Sequence, residues 1–121
     1  WYFQSGSKSA AGKGRIVPVH DRIKPFVQDL VNQNHTYLFT YNNEKISTMS
    51  YYRCWNKVMK QIGTDKTPHE ARHTFETNLD NAKGNRKCID MLMGHKSKDI
   101  GNRIYNHKTI KQLRDTISLL K

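Results

Sequence analysis

The chain has 121 residues, room for one domain built on one hydrophobic core. Its hydrophobic share of 36% and aromatic share of 10% exclude a disordered charged tail. With 21 Lys and Arg against 10 Asp and Glu, the net charge is +11, a self-repelling balance that favours a polyanionic partner.

Nucleic acid is the usual polyanion, bound through phosphate contacts and counterion release. An anionic membrane surface competes as a reading, but the basic residues are scattered over every segment rather than gathered on one interfacial helix. A merely well-solvated surface is the plain alternative. No apolar run is long enough to span a bilayer and no signal peptide is read, so no membrane partner is expected. Cys54 and Cys88 form neither a disulfide framework nor a C-x-x-C pair, and read as two reduced thiols of a cytosolic protein.

The opening Trp1-Tyr2-Phe3-Gln4-Ser5-Gly6-Ser7 looks like the remnant of an expression tag and is set aside from the fold, which leaves 8–121 as the domain and suggests an excised fragment. Lys8 to Val19 reads as a hairpin, with a glycine-containing turn before the β-branched run Arg15-Ile16-Val17-Pro18-Val19. Pro18 belongs at a strand end or on an edge, because it has no N–H to give the ladder. From about Asp21 to Asn32, Ile23, Phe26, Val27, Leu30 and Val31 recur at helical spacing, with Pro25 tolerable only in the first turn. Tyr37-Leu38-Phe39 predicts a brief strand and Asn42-Asn43 a turn.

Between Thr48 and Ile62, the apolar residues Tyr52, Trp55, Met59 and Ile62 alternate with Arg53, Asn56, Lys57 and Lys60, an amphipathic helix with a basic outer face that Gly63 ends. Thr67 to about Ala82 predicts a helix with Thr67 as N-cap, Pro68 in the first position, a capping box closed by Glu70, and Gly84 as the stop. A shorter helix over Asn85 to Met93 turns Ile89 and Leu92 inward and ends at Gly94; Asp99 to Tyr105 could form another. The tail from Thr109 to Leu120 puts Ile110, Leu113, Ile117 and Leu120 on one stripe. The expected fold class is mainly α with a small β-hairpin (α+β), with about five helices.

At ~100° per residue, His69, Arg72, His73 and Glu76 share one arc of the Thr67 helix, while Ala71, Phe75, Leu79 and Ala82 point the opposite way. The unsatisfied N–H groups of the first turn favour an anion nearby. Arg offers a forked donor that matches phosphate oxygens, and His moves a proton near neutral pH. The face is a plausible phosphate cradle; the plain alternative is a solvated basic helix face. The same stretch spells H-E-x-x-H, the zinc-protease signature. Against that reading, Arg72 shares the face of both histidines, no G-x-x-H continuation follows His73, and a helix N-terminus opposes a cation.

Taken in order, Thr67-Pro68-His69-Glu70-Ala71-Arg72-His73-Thr74-Phe75, Leu92-Met93-Gly94-His95-Lys96-Ser97 and Ile104-Tyr105-Asn106-His107 resemble the H-x-x-R-H-T, L-G-H-x-S and Y-x-H signatures of the tyrosine recombinases, the phage-integrase family. The resemblance covers roughly Lys8 to Lys121 and implies a catalytic domain that breaks and rejoins DNA with chemistry like that of type IB topoisomerases. It implies that Tyr105 attacks the phosphate to give a 3′-phosphotyrosyl link and a 5′-hydroxyl. It implies that Arg72 grips a non-bridging oxygen, that His69 hydrogen-bonds the phosphate or helps deprotonate Tyr105, and that His95 donates to the phosphate. A hairpin lysine then serves as general acid, and Lys8 fits that slot better than Lys13. Each of these residues also has a plain reading, as a turn histidine, a packing tyrosine or a solvated charge.

The chemistry is self-consistent. A phenol with a pKa near ~10 is a poor nucleophile until a base takes its proton and cations neutralise the pentavalent phosphate. No cofactor or metal is expected, because the covalent link stores the phosphodiester energy. The implied partners are double-stranded DNA and other recombinase protomers in a tetrameric synapse, in a cytoplasmic, nucleoid-associated setting. The family's first arginine, in a helix upstream of the hairpin, has no counterpart in these residues, so the chain alone is expected to be inactive or nearly so. A DNA-binding module with degenerate chemistry is the competing reading.

Overall fold

The computed structural model describes residues 1–6, 14–95 and 109–121. Among them lie five helices and two two-stranded antiparallel sheets, in agreement with a mainly α chain carrying a small β-hairpin. The chain divides into two compact units, one made of Trp1–Arg22 with Phe75–Lys121 and the other of Ile23–Thr74.

In the first unit, β1 (Tyr2–Ser5) pairs with β2 (Arg15–Pro18) so that Phe3 faces Val17, and Val19 N–H donates to Trp1 O at 3.0 Å beyond the strand ends. Residues 2–5, within the segment set aside on sequence grounds, thus form a strand paired with β2. Pro18 closes β2, as its missing N–H requires. The C-terminal half of α3 (Pro68–Asn81), α4 (Arg86–Met93) and α5 (Ile110–Ile117) complete the unit. Leu79, Cys88, Ile89, Leu92, Met93, Leu113 and Ile117 form one buried cluster, flanked by Val17, Phe75, Met91 and Leu120. α4 and α5 pack on each other, and both lie against β2. The apolar stripe of α5 is thus spent within its own unit at Leu113 and Ile117, whereas Ile110 is exposed.

Local signals set the helix ends. Asn85 caps α4 by accepting Cys88 N–H, Gly94 leaves it in the left-handed region at φ 69°, and Thr109 and Gln112 form a capping box on α5. After α3 the left-handed residue is Lys83, φ 56°, rather than the predicted stop Gly84. Gly84 is needed for space: a Cβ there would sit 2.9 Å from Leu79 O. His20 ties the unit's ends together. Its Nδ1 accepts Arg22 N–H at 3.1 Å, so Nε2 carries the proton and donates to Leu120 O at 3.1 Å.

The second unit holds α1 (Lys24–Asn32), the hairpin β3 (Thr40–Tyr41) with β4 (Glu44–Lys45), α2 (Thr48–Gln61) and the first turns of α3. Pro25 falls in the first turn of α1, as expected. The strand predicted at Tyr37-Leu38-Phe39 forms instead at Thr40–Tyr41, because Asn42 and Asn43, at φ 52° and 64°, make the tight turn that fixes the pairing. Helical periodicity overstated burial here. Val27 is buried, but Phe26 and Ile62 are 69% and 65% exposed, and no residue of α2 is buried. Ala71, assigned to the core face of α3, is exposed as well, whereas Leu79 on the same face is fully buried.

The two cysteines, one exposed on α2 and one buried on α4, are unbridged. No helix of the described residues is long and apolar enough to cross a membrane. The helix considered over Asp99 to Tyr105 lies outside the described residues.

Candidate functional site

The start of α3 is decided by three neighbouring residues. Thr67 Oγ1 accepts Glu70 N–H at 3.2 Å, while Glu70 Oε2 accepts the Thr67 N–H at 2.9 Å and its hydroxyl at 3.0 Å. Lys66 Nζ adds an ion pair to Glu70 at 3.1 Å. The Thr67 backbone N–H above all, then Lys66 and the Thr67 hydroxyl, hold the Glu70 carboxyl at about 2, well below the usual carboxylate range. The hydrogen bond and charge of Glu70 raise Lys66 in turn. Glu70 is therefore committed to the cap, which removes it from the general-base role that the zinc-protease reading gives it.

One helical turn apart, His69 and His73 meet Nε2 to Nε2 at 3.0 Å with ring centroids 4.5 Å apart and planes at 87°. One nitrogen donates and the other accepts, so the contact holds a single proton. Both rings are exposed, and Arg72 between them in sequence is half-buried. This pair and Arg72 occupy the first two turns of α3, where the helix dipole favours an anion. No third potential metal ligand gathers with His69 and His73 among the described residues.

His95 and Glu76 belong to the other unit. Gly94 ends α4, and the next backbone N–H, that of His95, donates to Asp90 O at 2.9 Å, which pins the His95 main chain. Its Nδ1 lies 3.8 Å from Glu76 Oε1 and 4.0 Å from Asp90 Oδ1. Arg86 grips both carboxylates through Nη2, at 2.7 and 2.9 Å, and reaches Asp80 at 3.6 Å through Nη1. The hydrogen bond to Glu76, followed by the charge of Asp90, raises the basicity of Arg86 further.

Of the residues singled out in sequence, the structure brings His69 to His73 and His95 to Glu76. Tyr105, Lys8 and the alternative Lys13 lie outside the described residues. Sequence reasoning missed Arg86, Asp80 and Asp90. The i, i+4 spacing of Arg86 and Asp90 was a usable signal, but the bond from Arg86 back to Glu76 on another helix was not.

The chain is similar to curated proteins over most of its length. It is 27% identical to the tyrosine recombinase XerA of Pyrococcus horikoshii over 117 residues, 91% of this chain and 41% of that protein. It is 25% identical to XerD of Halalkalibacterium halodurans, covering 94% of this chain and 43% of the relative. It is 29% identical to XerC of Staphylococcus saprophyticus, covering 85% and 38%. The chain thus spans about two fifths of the length of the relatives it matches. No solved structure matches it. The model of the phage integrase family matches residues 7–112, nearly the whole sequence, and the chain belongs to that family.

Proposed function

We propose that this chain is catalytic machinery of a site-specific DNA recombinase that cuts one strand, holds it as a 3′-phosphotyrosyl ester and rejoins it to another. The reading is carried by one observation: in a member of the phage integrase family, the first turns of α3 present Arg72 with two imidazoles at a helix end that favours an anion. The names of the similar proteins, all tyrosine recombinases, support it.

In this reading the Tyr105 oxygen bonds to phosphorus as the bond to the 5′-oxygen breaks. His69 takes the phenol proton or bonds the phosphate, and the His73 contact gives that proton a second nitrogen. Arg72 and His95 hold the non-bridging oxygens, and Lys8 returns a proton to the leaving 5′-oxygen. Each converging donor contributes roughly 2.7–4 kcal/mol if it acts like an oxyanion-hole group. Double-stranded DNA is the substrate, four protomers form the synapse, and the setting is the bacterial nucleoid.

The test is covalent capture. A protein that carries this chain and the upstream arginine helix implied by the family resemblance is incubated with a library of DNA duplexes. Adducts that survive detergent are collected, and none should form with Tyr105→Phe. Arg72→Ala should slow adduct formation by about 10²–10³-fold. Tight binding with no adduct would instead support a DNA-binding module with degenerate chemistry.

A further inference from the structure

We propose that Glu76 and Asp90, clamped together by Arg86, are positioning residues for His95: they take up its Nδ1–H and leave Nε2 as the ring atom that faces a phosphate oxygen. The proposal rests on the reading of His95 as a phosphate ligand; its own content is where the ring points and where its proton sits.

The backbone removes most of the freedom of His95. Gly94 in the left-handed region and the bond from His95 N–H to Asp90 O fix the Cα, so only side-chain torsions remain. On the Nδ1 side stand two carboxylates at 3.8 and 4.0 Å, a gap that a small ring rotation or one bridging water closes. Carboxylates sharing a site repel each other unless a cation lies between them. Arg86 is that cation: its Nη2 lies within 2.9 Å of both, while Asp80 pairs with Nη1. Three carboxylates thus gather on one guanidinium, two of them beside the imidazole.

A neutral imidazole carries one proton, and this surrounding draws it to Nδ1. A doubly protonated imidazole donates from both nitrogens, which would aim Nδ1–H at the carboxylates and Nε2–H at a phosphate oxygen. The oxygens of Glu76 and Asp90 and His95 Nδ1 lie within 4.8 Å of one another, a spacing that also suits a cation. Arg86 already supplies positive charge to both carboxylates, so a metal ion would have to displace its guanidinium. The arrangement is an organic counterpart of the carboxylate–histidine pairs that orient metal-bound imidazoles.

The experiment records two-bond proton–nitrogen correlations of histidine-labelled chain, at a pH where the rings are neutral. His20, whose Nδ1 accepts Arg22 N–H, is the internal reference for the Nε2–H tautomer and for an intact unit. The expected pattern for His95 is the reverse, Nδ1–H. The pair Glu76→Ala with Asp90→Ala should return His95 to the pattern of free histidine while His20 stays unchanged. A free-histidine pattern for His95 in the parent chain overturns the proposal, as does an Nδ1–H pattern that persists in the double variant. Should the double variant unfold, seen as loss of the His20 pattern, the parent pattern alone decides. Inorganic phosphate separates the two readings: if His95 keeps Nδ1–H but Nε2 does not respond to the anion, the phosphate role fails and the positioning role stands.

Discussion

Glu70 and Thr67 show what a single pair of side chains decides. Folded Glu70 titrates at about 2 against an ordinary 4.5, so between those values it binds fewer protons folded than unfolded. Its contribution to stability is present above the ordinary value and is lost as the pH falls toward the folded one. Melting temperatures of the parent chain and of Glu70→Gln should therefore converge on acidification from about pH 5 to about pH 2. A gap that stays constant over that range would mean the carboxylate charge has no part in the cap. Thr67→Ala removes the side-chain acceptor for Glu70 N–H and should cost about 1 kcal/mol by chemical denaturation at neutral pH. These residues were legible in sequence because a capping box is a local code: cap, first-turn proline and reciprocal acid all lie within four positions.

At the scale of elements, the polar face read along α3 is two chemical groups. His69 and His73 close on each other, while Glu76 turns to Arg86 and His95. Helical spacing showed which residues share a face, but the partner of Glu76 comes from the next helix, α4. The junction between α3 and α4 leaves no room for a side chain at Gly84. Gly84→Ala would press a methyl against Leu79 O at 2.9 Å and Ile89 Cδ1 at 3.2 Å, and should destabilise by roughly 1–3 kcal/mol in urea. Leu79→Ala, at a fully buried position, should cost roughly 2–5 kcal/mol. If the glycine variant lost nothing, the close approach of the two helices would be wrong.

For the whole molecule, burial is unevenly shared. The buried apolar cluster lies in the unit built from the two ends of the chain, whereas Ile23–Thr74 leaves Phe26, Met49, Val58 and Ile62 exposed. Amide exchange should be slowest in α4, α5 and the second half of α3, and faster in α1 and α2, because few buried contacts hold the latter closed. Equal protection in α2 and α4 would contradict that distribution. The net charge of +11 makes a second expectation: duplex affinity should fall steeply with salt, the slope of log K against log salt scaling with the phosphates contacted.

The sequence by itself determined most of the helix ends, the mainly α class and the family, because caps, periodicity and short signatures are written in near neighbours. It did not reveal that Tyr2–Ser5 is a strand, that most of the α1 and α2 stripes stay exposed, or that Arg86 joins Glu76 to Asp90 behind His95. Those outcomes rest on contacts between separate elements, β1 with β2 and α3 with α4 among them. Strand register, burial and ion-pair partners exist only once β2, α4 and α5 have packed together, and the tertiary structure alone decides them.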